Sequence, residues 1–200
     1  MNILAIVGSY RKGKTIDTLV DKAIEGAGVN DADAQVDKIH LIDRHIEYCK
    51  NCMVCRNDDL DTTIAKCVIS DDMDIINPKM DEADGFIFAT PVNMGQVTAV
   101  MKTFLERTTW VLSKPGKRPI RGCPTPRSTR KKKAIIIVSS GIIPPIFRRW
   151  CDDATALIKS QCDCVYNAKV LGSMYAGAVE KRGVDVYLDK AYKLGKKLSS

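Results

Sequence analysis

Ala134-Ile135-Ile136-Ile137-Val138 is an unbroken apolar run. Successive side chains of a strand point to opposite faces, so only a strand covered on both faces tolerates such a run. Asn2 to Val7 and Gly85 to Ala89 read the same way, and helical segments separate them. The chain therefore predicts a parallel, doubly wound α/β sheet with helices on both sides, a three-layer α/β/α architecture. Expected strands are Asn2 to Val7, Gln35 to Ile42, Gly85 to Ala89, Ala134 to Ser139 and Cys164 to Leu171. Expected helices are Lys14 to Ala27, Asp71 to Met80, Gln96 to Thr108, Pro145 to Ser160 and a closing one over Glu180 to Leu198. No repeat or composition break divides the sequence, so residues 1–200 are expected to form one domain.

The first strand runs straight into Gly8-Ser9-Tyr10-Arg11-Lys12-Gly13-Lys14-Thr15 and then a helix. A strand, a small and basic turn and a helix start make an anion site, because backbone N–H groups and the helix dipole converge there. The stretch satisfies G-x-x-x-x-G-K-[ST], the pattern of a nucleotide-triphosphate loop. Such an enzyme also needs an acidic residue ending a second buried strand to hold magnesium. Gly85 to Ala89 ends in Thr90-Pro91 and Ala134 to Val138 in Ser139-Ser140-Gly141; only Ile39 to Asp43 offers an aspartate. The loop thus reads as a phosphate site, with a nucleotide hydrolase as the weaker alternative. Ligands of open α/β sheets bind beyond the carboxyl ends of the strands. Gly8 to Thr15, Thr90 to Gly95 and Ser139 to Ile143 should surround one pocket.

Cys49-x-x-Cys52-x-x-Cys55 follows the second strand, and Cys67 comes after eleven further residues. Four thiolates are the usual ligand set of a cubane iron-sulfur cluster, and a zinc site more often shows two separated C-x-x-C pairs. A redox thiol pair without metal is the alternative. Thiols beside a phosphate site point to redox chemistry on a nucleotide-like cofactor. Cys123, Cys151, Cys162 and Cys164 read as unliganded, the last two as core filling at a strand start. The chain opens directly into a strand, without the pattern of a secretory signal, and no run is long enough to span a membrane. Its eight cysteines then argue for a reducing compartment, the cytoplasm.

The net charge of +7 concentrates between Lys114 and Lys133, a stretch with nine basic and no acidic residues. Its prolines and glycines mark residues 111–133 as a long loop: solvated, or a dock for an acidic redox partner or a cofactor phosphate. It has no aromatic residue for stacking on bases, which counts against nucleic acid. His40 and His45 receive no role, and Trp110 and Trp150 read as packing residues.

Three stretches resemble the flavodoxin-like NAD(P)H-dependent FMN reductase family, and within it the iron-sulfur flavoprotein branch. They are Gly8 to Thr15, the cysteine segment Cys49 to Met73, and Ala83 to Val97 continuing through Lys102-Thr103-Phe104-Leu105-Glu106-Arg107. The resemblance implies a flavodoxin-like five-stranded sheet and an FMN-binding oxidoreductase using NAD(P)H, with a non-catalytic electron carrier as the alternative. It implies that Ser9, Arg11, Gly13, Lys14 and Thr15 hold the FMN phosphate. Thr90, Pro91, Val92, Asn93, Met94 and Gly95 would follow the flavin ring, and Ser139, Ser140 and Gly141 would close the other side. Asn93 replaces the tyrosine common in relatives. A 4Fe-4S cluster on Cys49, Cys52, Cys55 and Cys67 would relay electrons, and Asp58, Asp59 and Asp61 read as an insertion between the third and fourth ligands. The resemblance further implies small-molecule donors and acceptors, an acidic protein such as ferredoxin, and a homodimer or homotetramer.

Overall fold

The computed structural model describes residues 1–29, 33–116 and 123–199. Strands β1 (Asn2–Val7), β2 (Gln35–His40), β3 (Gly85–Pro91), β4 (Lys132–Ser139) and β5 (Ala168–Ala176) form one sheet. All neighbours are parallel, in the order β2-β1-β3-β4-β5, the flavodoxin-like order. Helices α1 (Thr15–Gly28) and α5 (Leu188–Lys196) cover one face, and α2 (Met73–Glu82), α3 (Ala99–Leu112) and α4 (Asp153–Cys164) cover the other.

The apolar runs are explained by this double cover. Phe86 and Phe88 of β3 enter the core under α2–α4, while Ile87 and Ala89 enter the core under α1 and α5. Ile136 and Val138 of β4 follow the first pair, and Ile135 and Ile137 the second. Edge strand β2 is less fully covered: Ile39 enters the core under α2–α4 and Val36 packs partly buried against the other core. Helices α1 and α5 meet with almost no space between backbones. A Cβ at Gly26 would lie 2.1 Å from the Tyr192 carbonyl oxygen, and one at Gly195 1.9 Å from that of Ala23.

The register aligns the strand ends that matter for ligands. Val7 pairs with Ala89, Ala89 with Ile137 and Pro91 with Ser139. The direction of chain crossover reverses between β1 and β3, so the crevice lies above their carboxyl ends.

Several expected boundaries move. Helix α3 starts at Ala99 because the Thr98 hydroxyl caps it, accepting from the Met101 amide at 3.3 Å. Cys162 and Cys164 belong to α4, not to the last strand, and β5 begins only at Ala168 after Asn167 turns left-handed (φ 52°). The closing helix is interrupted: a turn at Val179–Arg182 ends at Gly183 (φ 75°), and α5 starts at Leu188. Cys123 and Cys164, expected to be unliganded with Cys164 as core filling, instead form a disulfide with Cα atoms 5.6 Å apart.

The basic segment is also not simply a solvated loop. Ser113–Lys114 and Thr125–Pro126 pair as a short antiparallel ribbon. Buried Arg127 donates to the carbonyls of Ser113 (3.1 Å), Leu60 (3.3 Å), Cys55 (3.1 Å) and Asp58 (2.7 Å). Lys132 is buried and caps α2 through the carbonyls of Met80 (2.6 Å) and Asp81 (2.7 Å). Burial pushes its ammonium down to about 8, against partial compensation from Asp81. Arg130 pairs with Asp84, and Lys133 donates to the Leu198 carbonyl at 3.1 Å. Lys117, Arg118 and Arg121 lie outside the described residues. Among the described residues no helix is long and apolar enough to cross a membrane.

Candidate functional site

The anion loop begins where β1 ends. The Gly8 amide donates to the Ala89 carbonyl (2.8 Å), and its own carbonyl accepts from the Thr98 hydroxyl (2.6 Å). A Cβ here would come within 2.8 Å of the Met101 Cβ, so the loop can leave the sheet over α3 only through glycine. Ser9 is buried, and its hydroxyl accepts from the Arg11 amide (3.2 Å) and donates to the Arg11 carbonyl (3.1 Å). Gly13 takes a left-handed conformation (φ 64°) and donates its amide to Asp17 Oδ2 at 2.5 Å. The Arg11 and Lys14 side chains are exposed and form no ion pair among the described residues. They face the cleft together with Thr15 at the start of α1.

This cleft, about 450 Å³, is lined by predicted residues from three separate loops: Ser9, Arg11, Lys14 and Thr15; Pro91, Val92 and Asn93; and Ser139 with Gly141. The β3 and β4 ends are tied together by the Val92 amide donating to the Ser139 carbonyl at 2.7 Å. Five predicted residues stand behind or beside the lining. Gly13 shapes the loop. Thr90 is fully buried, its hydroxyl donating to the Pro91 carbonyl (3.0 Å) and accepting from the Thr98 amide (3.4 Å). Ser140 accepts from the Ile143 amide at 3.3 Å. Met94 and Gly95 form the left-handed tip (φ 50° and 82°) of a turn closed by Asn93 and Gln96, with Met94 fully exposed.

Four further residues complete the cleft: Tyr10, Ile16, Val179 and Glu180. The Tyr10 hydroxyl accepts from the Ala99 amide (3.0 Å), which fastens the anion loop to the start of α3. Glu180 enters because its amide reaches back to the Gly141 carbonyl at 3.1 Å. No local pattern announces that contact. Asp43, the magnesium candidate of the nucleotide-hydrolase reading, is ion-paired with Lys12 at 2.7 Å.

The donor set fits a phosphate monoester carried on an apolar body. Two cations, two hydroxyls and the N-terminus of α1 stand at one side, and the backbone of Pro91 to Asn93 at another.

The thiol loop lies against α3. Cys49 and Cys52 are exposed, Cys55 and Cys67 half-buried, and none is in a disulfide. Asn51 (φ 50°) and Met53 (φ 62°) hold left-handed conformations on either side of Cys52, and the Asn51 amide points at Cys49 Sγ at 3.4 Å. Burial first, then the neighbouring Cys67, Cys49 and Cys52, push the Cys55 thiol up. The four sulfurs do not converge on one point as around a single zinc ion. The only three-ligand set of that kind among the described residues is Cys123, Asp163 and Cys164, whose sulfurs are already joined.

Two buried arginines hold this loop. Arg107 of α3 forks onto Asp71 (2.5 and 3.1 Å), donates to the Glu47 carbonyl (2.8 Å) and reaches Cys67 Sγ at 3.8 Å. It thereby joins the two ends of the loop. Arg127 fixes the middle through the carbonyls of Cys55, Asp58 and Leu60.

A family profile described as NADPH-dependent FMN reductase matches residues 1–143. The chain belongs to that family of flavin oxidoreductases. An iron-sulfur flavoprotein of Methanosarcina thermophila is 37% identical over 108 residues, covering 54% of this chain and 52% of the relative. One from Archaeoglobus fulgidus is 34% identical over 107 residues, covering 54% and 45%. The chain thus spans about half the length of these curated relatives. Among solved structures, an NAD(P)H:quinone oxidoreductase from Methanothermobacter marburgensis superposes with a TM-score of 0.74 at 13% identity, covering all of this chain and 96% of the other. An azoreductase from Bacillus anthracis reaches 0.73 at 13% identity, covering 98% and 99%. At such identity these two establish the shared fold.

Proposed function

We propose that this protein is an FMN-dependent oxidoreductase that passes electrons from a reduced nicotinamide to a small acceptor such as a quinone or free flavin. The observation that carries the reading is the meeting of three loops in one cleft: an anion loop at the end of β1 with two cations that form no ion pair among the described residues, and the ends of β3 and β4 opposite it. When bound, FMN would supply the redox chemistry, taking up a hydride and returning electrons singly or in pairs. The chain's own work is to bind and orient. Arg11, Lys14, Thr15 and the amides at the start of α1 would hold the phosphate. Ser9, at the cleft wall, would shape the loop through its bonds to Arg11 and Gly13 would shape it from behind, and Pro91 to Gly95 with Ser139 to Gly141 would bound the ring.

We extend the reading to a 4Fe-4S cluster on Cys49, Cys52, Cys55 and Cys67, relaying single electrons. Support comes from the four free thiols gathered in one loop and from the names of the curated relatives. The loop and the cleft share one helix. Tyr10 touches α3 at Ala99 and Cys67 lies at Arg107, eight residues or about 12 Å further along the axis. Six free thiols and a cluster suit a reducing cytoplasm, and the Cys123–Cys164 disulfide counts the other way. Exposed Met94, Ile142, Ile146 and Trp150 suit a contact between copies. With Arg127, Arg130, Lys132 and Lys133 engaged internally, docking of an acidic protein such as ferredoxin rests on the remaining surface charge.

The test is titration of the protein with FMN, followed by NADPH oxidation with a quinone acceptor. Stoichiometric binding and turnover are expected. Binding without turnover would make the protein a carrier, and no binding would sink the flavin reading.

A further inference from the structure

The anion loop matches the nucleotide-triphosphate pattern residue for residue, yet one amide in it is already taken. In such loops successive backbone N–H groups cradle two linked phosphates. Here the Gly13 amide, at the turn of the loop, donates to Asp17 Oδ2 at 2.5 Å. Asp17 lies in the first turn of α1 and is 4% exposed. Its other oxygen meets two groups of edge strand β2: Lys38 Nζ at 2.8 Å, as an ion pair, and His40 Nε2 at 3.4 Å. Lys38 also pairs with Asp21 at 2.7 Å. A continuous chain of ion pairs and a hydrogen bond, centred on buried Asp17, thus runs from β2 to the turn of the loop.

Two consequences follow. Gly13 is locked in its left-handed conformation (φ 64°), which fixes where the next amides point. A negative charge also stands directly behind the loop and engages the Gly13 amide, which is then not free for a second phosphate. Burial pushes the Asp17 carboxyl up, but Lys38, the Gly13 amide and His40 together outweigh it and hold the group below its usual range. The carboxylate therefore stays ionised and keeps the amide at neutral pH.

We propose that Asp17 is the positioning and specificity-determining residue of the anion loop: it sets the loop to receive one terminal phosphate monoester and to refuse a polyphosphate. The proposal rests on reading the cleft as a flavin phosphate site. A role confined to capping α1 would affect folding and leave phosphate selectivity untouched.

The experiment uses the intact protein freed of flavin, as wild type, Asp17→Ala and Asp17→Asn. Dissociation constants for FMN and for riboflavin, which lacks the phosphate, are read from flavin fluorescence. Inorganic phosphate and pyrophosphate are then compared as competitors of FMN. Asp17→Ala should lose roughly tenfold or more in FMN affinity, because the released Gly13 turn no longer holds the following amides toward the phosphate, with riboflavin unchanged. Asp17→Asn, whose carbonyl can still accept from Gly13, should lose less. In both variants pyrophosphate should gain on phosphate as a competitor, whereas in the wild type it has no advantage. The proposal is overturned if Asp17→Ala binds FMN like wild type, if FMN and riboflavin weaken equally, or if pyrophosphate already outcompetes phosphate on the wild type. Wild type that binds neither flavin would instead overturn the flavin reading of the cleft.

Discussion

Replacing Arg107 by alanine removes the guanidinium that ties both ends of the thiol loop to α3. Its side chain is 1% exposed and that of its partner Asp71 fully buried. The pair is a two-pronged fork, with a further bond to the Glu47 carbonyl. Removing one member of a buried ion pair costs about 3–5 kcal/mol, because the other charge is left unpaired. Asp71 retains the amides of Glu47 (2.8 Å) and Met73 (2.9 Å), so the lower half of that range is expected. A domain of this size has about 5–15 kcal/mol in total, so the sheet should survive while the loop loosens. Urea unfolding followed by circular dichroism measures the loss. A double-mutant cycle with Asp71→Asn isolates the pair, with an expected coupling of at least about 1.5 kcal/mol. Arg107→Lys should recover little, since an ammonium cannot reproduce the fork. A loss under about 1 kcal/mol with no coupling would refute the assignment of Arg107 as the anchor.

Arg127→Ala should release the carbonyls of Cys55, Asp58 and Leu60, so Cys55 should react faster with a thiol reagent; fully buried Cys162, whose thiol is pushed up by burial, should stay inert in both proteins. Equal Cys55 rates in variant and wild type would contradict this. Gly195→Ala should cost at least about 2 kcal/mol, because the new methyl meets the Ala23 carbonyl and α1 and α5 must separate; an unchanged urea midpoint would show the helices are free to move. For Lys132, a folded value of about 8 against 10.5 unfolded means the unfolded chain binds more protons between those values. Its contribution to stability therefore rises from pH 8 to 10.5, by up to about 3 kcal/mol relative to Lys132→Met. A flat difference across that window would show that Lys132 is not desolvated.

The fold was legible because its strongest signal is local. Runs such as Ala134 to Val138 need cover on both faces, and only a doubly wound sheet provides it. The cleft was legible because loops after parallel strands converge by topology, as Ser9, Pro91 and Ser139 do. What failed depends on partners distant in sequence. Counting charges makes Arg127 and Lys132 surface residues, but their apolar stems are buried and their heads satisfy carbonyls contributed by residues 55–60 and 80–81. Asp17 reads as an ordinary first-turn acid until the fold brings Lys38 and His40 beside it. The Cys123–Cys164 link spans 41 residues, and no spacing rule connects that pair. Helix α4 could be followed through Cys162 and Cys164 only by knowing that Asn167, not Cys164, makes the turn into β5.

On the proposed function, the cleft above β1, β3 and β4 holds a flavin and the thiol loop beside it is a second redox group. The visible spectrum of the protein purified without air tests this most directly. A two-banded flavin spectrum with a broad additional absorption that reductant bleaches is the predicted result. Flavin bands alone would reduce the four cysteines to thiols and leave the cleft assignment standing. A colourless protein that stays colourless after incubation with FMN would exclude flavin from the cleft.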